Sequence, residues 1–204
     1  MSEPSPSLWQ LIREDFVAHG RDVTRPGFQA IAIYRFGVWR MNVQPLPLRA
    51  PLSVAYRALF RTVRNLYGIE IPYSAKIGRR VIFEHQHGIV VHGNTVIGDD
   101  CVIRQGCTLG IRSMDRLTEA PVLGRGVNVG AGAKIIGPVN VGDGAAIGAN
   151  AVVLKDVPAG ALAIGVPAHL VQRTSALPVD ASTSDERTKS KLEPSGETRI
   201  EKEL

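Results

Sequence analysis

The sequence predicts a mainly β fold, a parallel β-helix, from three features that share one register. A branched or large apolar residue recurs every six positions from residue 71 to residue 153, with two interruptions. A glycine often follows this residue directly, and a small or branched residue stands four positions after it. A short strand followed by a tight glycine corner fits a period of six, whereas a helix does not. The repeat therefore predicts stacked coils whose parallel strands enclose one continuous core.

The apolar positions define the register of the repeat. They are Ile71, Ile77, Phe83, Ile89, Ile97, Ile103, Leu109, Leu123, Val129, Ile135, Val141, Ile147 and Val153. The step is eight residues from Ile89 to Ile97 and fourteen from Leu109 to Leu123, which predicts one short and one long interruption. The chain has 21 glycines and only 5% aromatic residues, and this composition favours tight corners and small interior side chains.

Three parts follow one another along the chain: a helical region over residues 1–67, the repeat over residues 68–174 and a tail over residues 175–204. The tail is rich in Ser, Thr, Asp, Glu and Lys, and we expect it to be disordered. Apolar spacing and proline positions predict three helices in the helical region. They begin near Leu8 after an N-cap at Ser7, run from Phe28 to Met41, and run from about Leu52 to Tyr67.

Charge and apolar content narrow the class of protein. The formal net charge of +5 suits an anionic ligand, a membrane surface or nucleic acid. The basic stripe Arg57, Arg61 and Arg64 is typical of a solvated face, with contact to an anionic membrane as the alternative, and we expect neither a membrane nor a nucleic acid partner. No secretory signal and no apolar run of about 18–20 residues is present, so we expect a cytoplasmic protein. Cys101 and Cys107 are then expected to be free thiols packed inward.

The segment Glu84-His85-Gln86-His87 breaks the chemistry of the repeat. A neutral histidine can accept a proton from a hydroxyl group near pH 7, and a nearby carboxylate can hold its tautomer. The segment therefore offers a candidate proton acceptor, and we expect His87 to line the site or fill the corner. A metal site is not expected, because no third ligand is fixed beside these histidines.

The motifs around this segment resemble those of the serine O-acetyltransferases, within the hexapeptide-repeat acyltransferases. The resemblance covers roughly residues 50–172, including the runs at residues 68–72 and 75–79, Glu84-His85 and the Gly-Ile-Val-Val run at residues 88–91. It implies a left-handed parallel β-helix of triangular section with about four coils. It also implies that His85 is the catalytic base, that Glu70 orients it and that Glu84 binds the acceptor, although aspartates occupy both carboxylate positions in the family.

The resemblance further implies acetyl-CoA as co-substrate and a homotrimer whose sites lie between subunits. The pantetheine arm of the cofactor would pass Gly110, Ala131 and Ala149, which match small residues of the family. Lys134 and Lys155 are candidates for binding its phosphates. Ala131 and Ala149 are eighteen residues apart, which is one coil, so both are expected on one line along the axis.

Two departures from the family leave the acceptor open. The family's Gly-rich insert ends in Asp-Arg-His-Pro, and here Thr118, Glu119 and Ala120 precede Pro121, so the Arg-His pair is absent. Arg112, in the same loop, is the candidate replacement for substrate binding. The helical region is also about half as long as in the biosynthetic enzymes. The first hypothesis is therefore an acetyltransferase with L-serine as acceptor, and the second is one with a sugar hydroxyl of an exopolysaccharide precursor as acceptor. The third hypothesis is a non-catalytic trimeric scaffold.

Overall fold

The computed structural model describes residues 6–171. The predicted disordered tail and the last residues assigned to the repeat lie outside the described residues. The described part begins with three α-helices, α1 (Leu8–Ala18), α2 (Pro26–Trp39) and α3 (Leu46–Tyr67), and a 3₁₀ turn at Arg40–Asn42 separates the last two. No helix within residues 6–171 is both long and apolar enough to cross a membrane.

The first residues of the helices can be compared with those that capping and proline positions predicted from the sequence. Ser7 caps α1 as predicted, in a capping box in which its side chain accepts from the amide of Gln10. The third helix begins at Leu46, six residues before the predicted start, and it includes Pro51. A proline within a helix removes one backbone donor, and the helix nevertheless continues to a left-handed cap at Gly68. The arginines of the basic stripe are exposed.

The remaining described residues form a β-helix with three faces, which confirms the predicted left-handed parallel fold. Face A contains β1 (Ile69–Glu70), β4 (Ile89–Val91), β7 (Thr108–Gly110), β10 (Lys134–Ile136) and β13 (Val152–Val153). Face B contains β2 (Lys76–Ile77), β5 (Val96–Ile97), β8 (Val122–Leu123) and β11 (Asn140–Val141). Face C contains β3 (Ile82–Glu84), β6 (Val102–Arg104), β9 (Asn128–Val129), β12 (Ala146–Ile147), β14 (Leu162–Ile164) and β15 (His169–Val171).

Five strands stack on face A, so the solenoid has about five coils, one more than the four that the resemblance implied. Val157 and Ala163 are buried and complete the last coil, beyond Val153, the last apolar position of the repeat in the sequence. Neighbouring strands pair in parallel, except that β15 runs antiparallel to β14 and ends the described part of face C. The inward side chains of all coils form one core, in which Cys101 and Cys107 are buried free thiols, as predicted. Burial raises the pKa of the Cys101 thiol to about 11.

The short interruption of the repeat lies in a different place from the one that the sequence predicted. Val91 pairs with Leu109 and Val90 with Thr108, so Ile89 lies in the column of small corner residues. Eight residues therefore separate Phe83 from the next apolar position, Val91, and the predicted step of eight after Ile89 is wrong. A step of eight followed by six, or of six followed by eight, covers the same distance from Phe83 to Ile97. The periodicity alone therefore did not distinguish the two registers. The two extra residues lie in the corner that contains His85 and His87.

The helical region closes one end of the solenoid by packing on its first coil. The Tyr34 hydroxyl donates to the carbonyl of Ala75 at 2.8 Å and accepts from the amide of Ile77 at 3.1 Å. Arg35 donates to the carbonyls of Ile77 and Gly78 and pairs with Asp15 at 2.8 Å, and the Arg35–Asp15 pair is buried. Burial raises the pKa of Asp15, and the contact with Arg35 opposes that shift. These contacts place the N-terminus of α2 beside the end of β3.

Candidate active site

The corner between β3 and β4 presents both candidate histidines to solvent. His85 and His87 are exposed and adopt left-handed backbone conformations, with φ of 64° and 72°. The amide of His87 donates to the carbonyl of Tyr67 at 2.7 Å, and the carbonyl of His87 accepts from the amide of Gly106 at 2.9 Å. Backbone hydrogen bonds therefore hold this widened corner between α3 and the next coil, and its side chains point away from the core.

Glu84 lies at the end of β3, directly before His85, and it has a cationic partner on the next coil. Arg104 is its register neighbour on β6, and the Arg104 Nε lies 2.9 Å from the Glu84 Oε2. Arg104 also donates to the Asn128 side chain on the coil beyond, at 2.5 Å. Both charged groups are about one third exposed, so the pair is partly screened by water. The carboxylate predicted to bind the acceptor is thereby held in place at the edge of the site.

Glu70, the predicted orienting carboxylate, lies on β1 with Val90 of β4 as its register neighbour. It is partly exposed on the outside of face A, next to the strand that follows the histidine corner. Among residues 6–171, no hydrogen bond joins Glu70 to His85 or His87. Catalytic hydrogen bonds are often long before substrate binds, so this geometry leaves the role of Glu70 a prediction.

A cavity of about 420 Å³ opens beside His85, between the helical region and the first coil. Its lining residues are His19, Arg25, Pro26, Gly27, Ile82, Phe83, Glu84 and His85. This volume falls within the range of small-molecule sites, about 300–1,000 Å³. The cavity thus brings a candidate base, a carboxylate and a guanidinium group around one space.

His19 is buried and fixes one wall of this cavity. Its Nδ1 lies 2.7 Å from the carbonyl of Asp15, and its Nε2 accepts from the amide of Phe83 at 3.2 Å. These two contacts require the neutral ring with its proton on Nδ1. Burial lowers the pKa of His19, which favours the same neutral form.

Three residues of the predicted cofactor track lie along the histidine edge, which we define as the stack of corners that join face C to face A. Ala131 and Ala149 occupy this edge on successive coils, and the amide of Asn150 donates to the carbonyl of Ala131 at 2.8 Å. Both alanines are at least partly exposed, as a track for a pantetheine arm requires. Lys134 begins the following strand, and its Nζ donates to the carbonyl of Gly106 on the same edge.

The other predicted residues lie along the loop edge, the stack of corners that join face A to face B. Gly110 ends β7, and the long loop of residues 111–121 follows it. Arg112 of this loop donates to the carbonyl of Leu154 at 3.2 Å, beside the exposed Lys155. Within one subunit the structure therefore does not bring Gly110, Arg112 and Lys155 to His85. Face A separates the two groups of predicted residues.

Sequence reasoning missed Arg104, Arg25 and His19 as members of this site. Arg104 is twenty residues after Glu84, and only the two-residue insertion in the corner makes that spacing a register pair. An eighteen-residue coil would have placed Val102 there. Arg25 and His19 belong to no repeat or motif, and only the packing of α2 on the first coil brings them to His85. No group of three or more His, Cys, Asp or Glu side chains within residues 6–171 could hold a metal ion.

Comparison with curated proteins gives relatives of one kind. A serine acetyltransferase from Helicobacter pylori is 39% identical over 176 residues, which cover 85% of this chain and 99% of the relative. A serine acetyltransferase from Synechococcus elongatus is 37% identical over 149 residues, which cover 73% of this chain and 58% of the relative. The chain therefore spans almost all of one relative and little more than half of the other. No family model matches the chain.

Solved structures give the same result. A serine acetyltransferase from Brucella abortus in complex with coenzyme A superposes with a TM-score of 0.71 at 28% identity, covering 85% of this chain and 71% of that one. The soybean serine acetyltransferase complexed with serine superposes with a TM-score of 0.68 at 34% identity, covering 82% of this chain and 70% of that one. The fold and these relatives together define the chain as an acyltransferase. More narrowly, the chain belongs to the serine acetyltransferase family.

Proposed function

We propose that this protein transfers the acetyl group of acetyl-CoA to the hydroxyl of L-serine, giving O-acetylserine and coenzyme A, a reaction of cysteine biosynthesis. The observation that carries the proposal is the exposed His85 at a widened corner, between a carboxylate and a cavity of about 420 Å³. Family members that bind coenzyme A and serine support it. The free thiols of Cys101 and Cys107 suit a reducing compartment, so we propose that the reaction takes place in the cytoplasm.

The reaction needs one proton acceptor and one stabilised oxyanion. His85 removes the hydroxyl proton of serine while the oxygen forms a bond to the carbonyl carbon of the thioester. A backbone amide of the corner would stabilise the negative charge on the tetrahedral intermediate. The carbon–sulfur bond then breaks, and the coenzyme A thiolate receives the proton from His85. Glu84 attracts the ammonium group of serine, and Glu70 would stabilise the imidazolium when substrates close the site.

We propose a homotrimer in which each site is completed by a neighbouring subunit. The support is the separation of predicted site residues onto two edges of one solenoid. A threefold assembly around face A would bring the histidine edge of one subunit to the loop edge of the next. Ala131 and Ala149 would then face Gly110, Arg112 and Lys155 of a neighbour across a single groove. Multi-angle light scattering tests the assembly, because a monomer at assay concentration would contradict this arrangement.

Product analysis tests the function directly. The purified protein is incubated with acetyl-CoA and a panel of amino acids and sugars, and the acetylated products are identified by mass spectrometry. We expect saturable formation of O-acetylserine, and acetylation of sugars without serine would instead support the exopolysaccharide hypothesis. His85→Ala should lower kcat about 10²- to 10⁴-fold, the usual contribution of a general base. His169→Ala is the matched control, since His169 is exposed on β15 at the opposite end of face C.

The scaffold hypothesis predicts a different pattern in the same experiment. A protein that uses the repeat only for assembly would form no acetylated product, and calorimetry would show no binding of acetyl-CoA. Turnover that depends on His85 would exclude that hypothesis. Turnover that is unchanged in His85→Ala would instead show that another group accepts the proton.

A further inference from the structure

The cavity beside His85 suggests how the acceptor is recognised, and this inference rests on the proposed function. An amino acid acceptor such as serine presents a hydroxyl, an ammonium and a carboxylate. His85 and Glu84 provide partners for the first two, and both line the cavity. The carboxylate requires a cation, and a guanidinium group is the side chain best suited to it, because it can donate two parallel hydrogen bonds.

Several cations near the site are already engaged within the subunit. Arg104 pairs with Glu84 at 2.9 Å and donates to Asn128. Lys134 donates to the carbonyl of Gly106. In the long loop, Arg112 donates to the carbonyl of Leu154, and Arg116 pairs with Glu119 at 3.3 Å.

Arg25 differs from these cations in its surroundings. It lines the same cavity as Glu84 and His85, directly before the first residue of α2. Its side chain is 56% exposed, and its contact with Asp22 is long, at 3.9 Å. Asp22 is occupied elsewhere, because its Oδ1 accepts from both the amide and the hydroxyl of Thr24. The guanidinium group of Arg25 is therefore held loosely, beside Gly20 in the helical wall of the cavity.

We propose that Arg25 binds the carboxylate of the amino acid acceptor and so determines specificity for an amino acid over a neutral hydroxyl compound. Arg25 and Glu84 then form a pair of opposite charges that orients a zwitterion, with its hydroxyl toward His85. The helical region contributes a substrate contact in this arrangement, in addition to closing the core. It thereby supplies a cation that the long loop lacks at Glu119 and Ala120, where the family has its Arg-His pair.

Steady-state kinetics with two acceptors tests this role. L-serine is compared with L-serinamide, which keeps the hydroxyl and amino groups and replaces the carboxylate by a neutral amide. In Arg25→Gln we expect the KM for L-serine to rise about 10- to 100-fold, as the loss of a charge-assisted hydrogen bond implies. The KM for acetyl-CoA and the kcat/KM for L-serinamide should change less than about twofold, because neither involves the carboxylate. Arg25→Lys should recover part of the affinity for L-serine.

Arg21→Gln is the matched control, since it removes an exposed positive charge four residues away that does not line the cavity. It should leave both acceptors unaffected. If Arg25→Gln keeps the wild-type preference for L-serine over L-serinamide, Arg25 does not bind the carboxylate, and the proposed function stands without it. If the wild-type protein forms no O-acetylserine, the proposed function and this inference both fail.

Discussion

The contact between Gly27 and Phe83 gives the sharpest test of how the helical region shapes the site. Gly27 is the second residue of α2, and a Cβ atom added to it would lie 1.9 Å from the carbonyl oxygen of Phe83. The Phe83 oxygen is a backbone atom and the added Cβ is bonded directly to the backbone, so no side-chain rotation relieves the clash. Gly27→Ala therefore requires α2 to move away from β3, which widens the cavity between Arg25 and Glu84.

The size of the effect follows from the distance. An ordinary carbon–oxygen contact is about 3.3 Å, so α2 must shift by more than about 1 Å, in a region where other contacts are fixed. Overpacking of this kind typically costs about 1–3 kcal/mol and occasionally more. For a domain of this size, each kcal/mol lowers the melting temperature by about 2–4 °C. We expect a loss of about 2–12 °C in the melting temperature. We also expect a rise in the KM for L-serine with little change in the KM for acetyl-CoA.

Differential scanning calorimetry and steady-state kinetics measure the two effects. Gly93→Ala is the control, because a Cβ atom there meets the Oγ of Ser74, at 2.5 Å, and a serine hydroxyl can rotate away. It should lower the melting temperature much less. A Gly27→Ala variant with wild-type melting temperature and wild-type KM for L-serine would refute the close packing of α2 on β3 and its role in the site.

Two further predictions concern the cofactor track and the cavity wall. Ala149→Leu should raise the KM for acetyl-CoA about tenfold or more, because a branched side chain would fill the proposed pantetheine track, and the KM for L-serine should be nearly unchanged. Ala146→Leu, on the outside of β12, is the control. Equal effects of the two substitutions would contradict the track. His19 is neutral in the fold, and burial lowers its pKa below the ordinary value of 6.5. Its contribution to the stability of the fold is therefore complete above pH 6.5. That contribution is lost as the pH falls from 6.5 through the lowered pKa of the folded state. Urea unfolding should show a loss of stability from this group as the pH falls from 7.5 to 5.5. The loss should be absent in His19→Gln and kept in His169→Gln, and an unchanged slope in His19→Gln would contradict the assignment.

The repeat was readable from the sequence because its cause is local. Each coil needs an inward apolar residue, a tight corner and a small corner filler, and these demands recur at every turn of the chain. The fold class and the inward cysteines follow from this periodicity. The line of Ala131 and Ala149 also needed the coil of three hexads that the family resemblance implies. The N-cap of α1 was predictable for the same reason, since Ser7 and Gln10 satisfy each other within four residues.

Register and tertiary packing were not readable in the same way. An insertion of two residues between Phe83 and Ile97 fits the pattern at either of two corners, because Ile89 and Val91 are both apolar. Only pairing with the next coil, Val91 to Leu109, decides between them. The start of α3 and the burial of His19 depend on contacts between helices and solenoid, which leave no periodic signal. Arg25 was missed for that reason as well.

The widened corner links the two features that set this site apart from the rest of the solenoid. Two extra residues lift His85 and His87 away from the core, which frees their rings for chemistry instead of filling the corner. The same two residues lengthen the first coil from eighteen to twenty residues, and this places Arg104 beside Glu84. The cation then holds the carboxylate at the edge of the cavity, where it faces Arg25 across the space beside His85. One short insertion thus exposes the base and fixes the group that would orient its substrate.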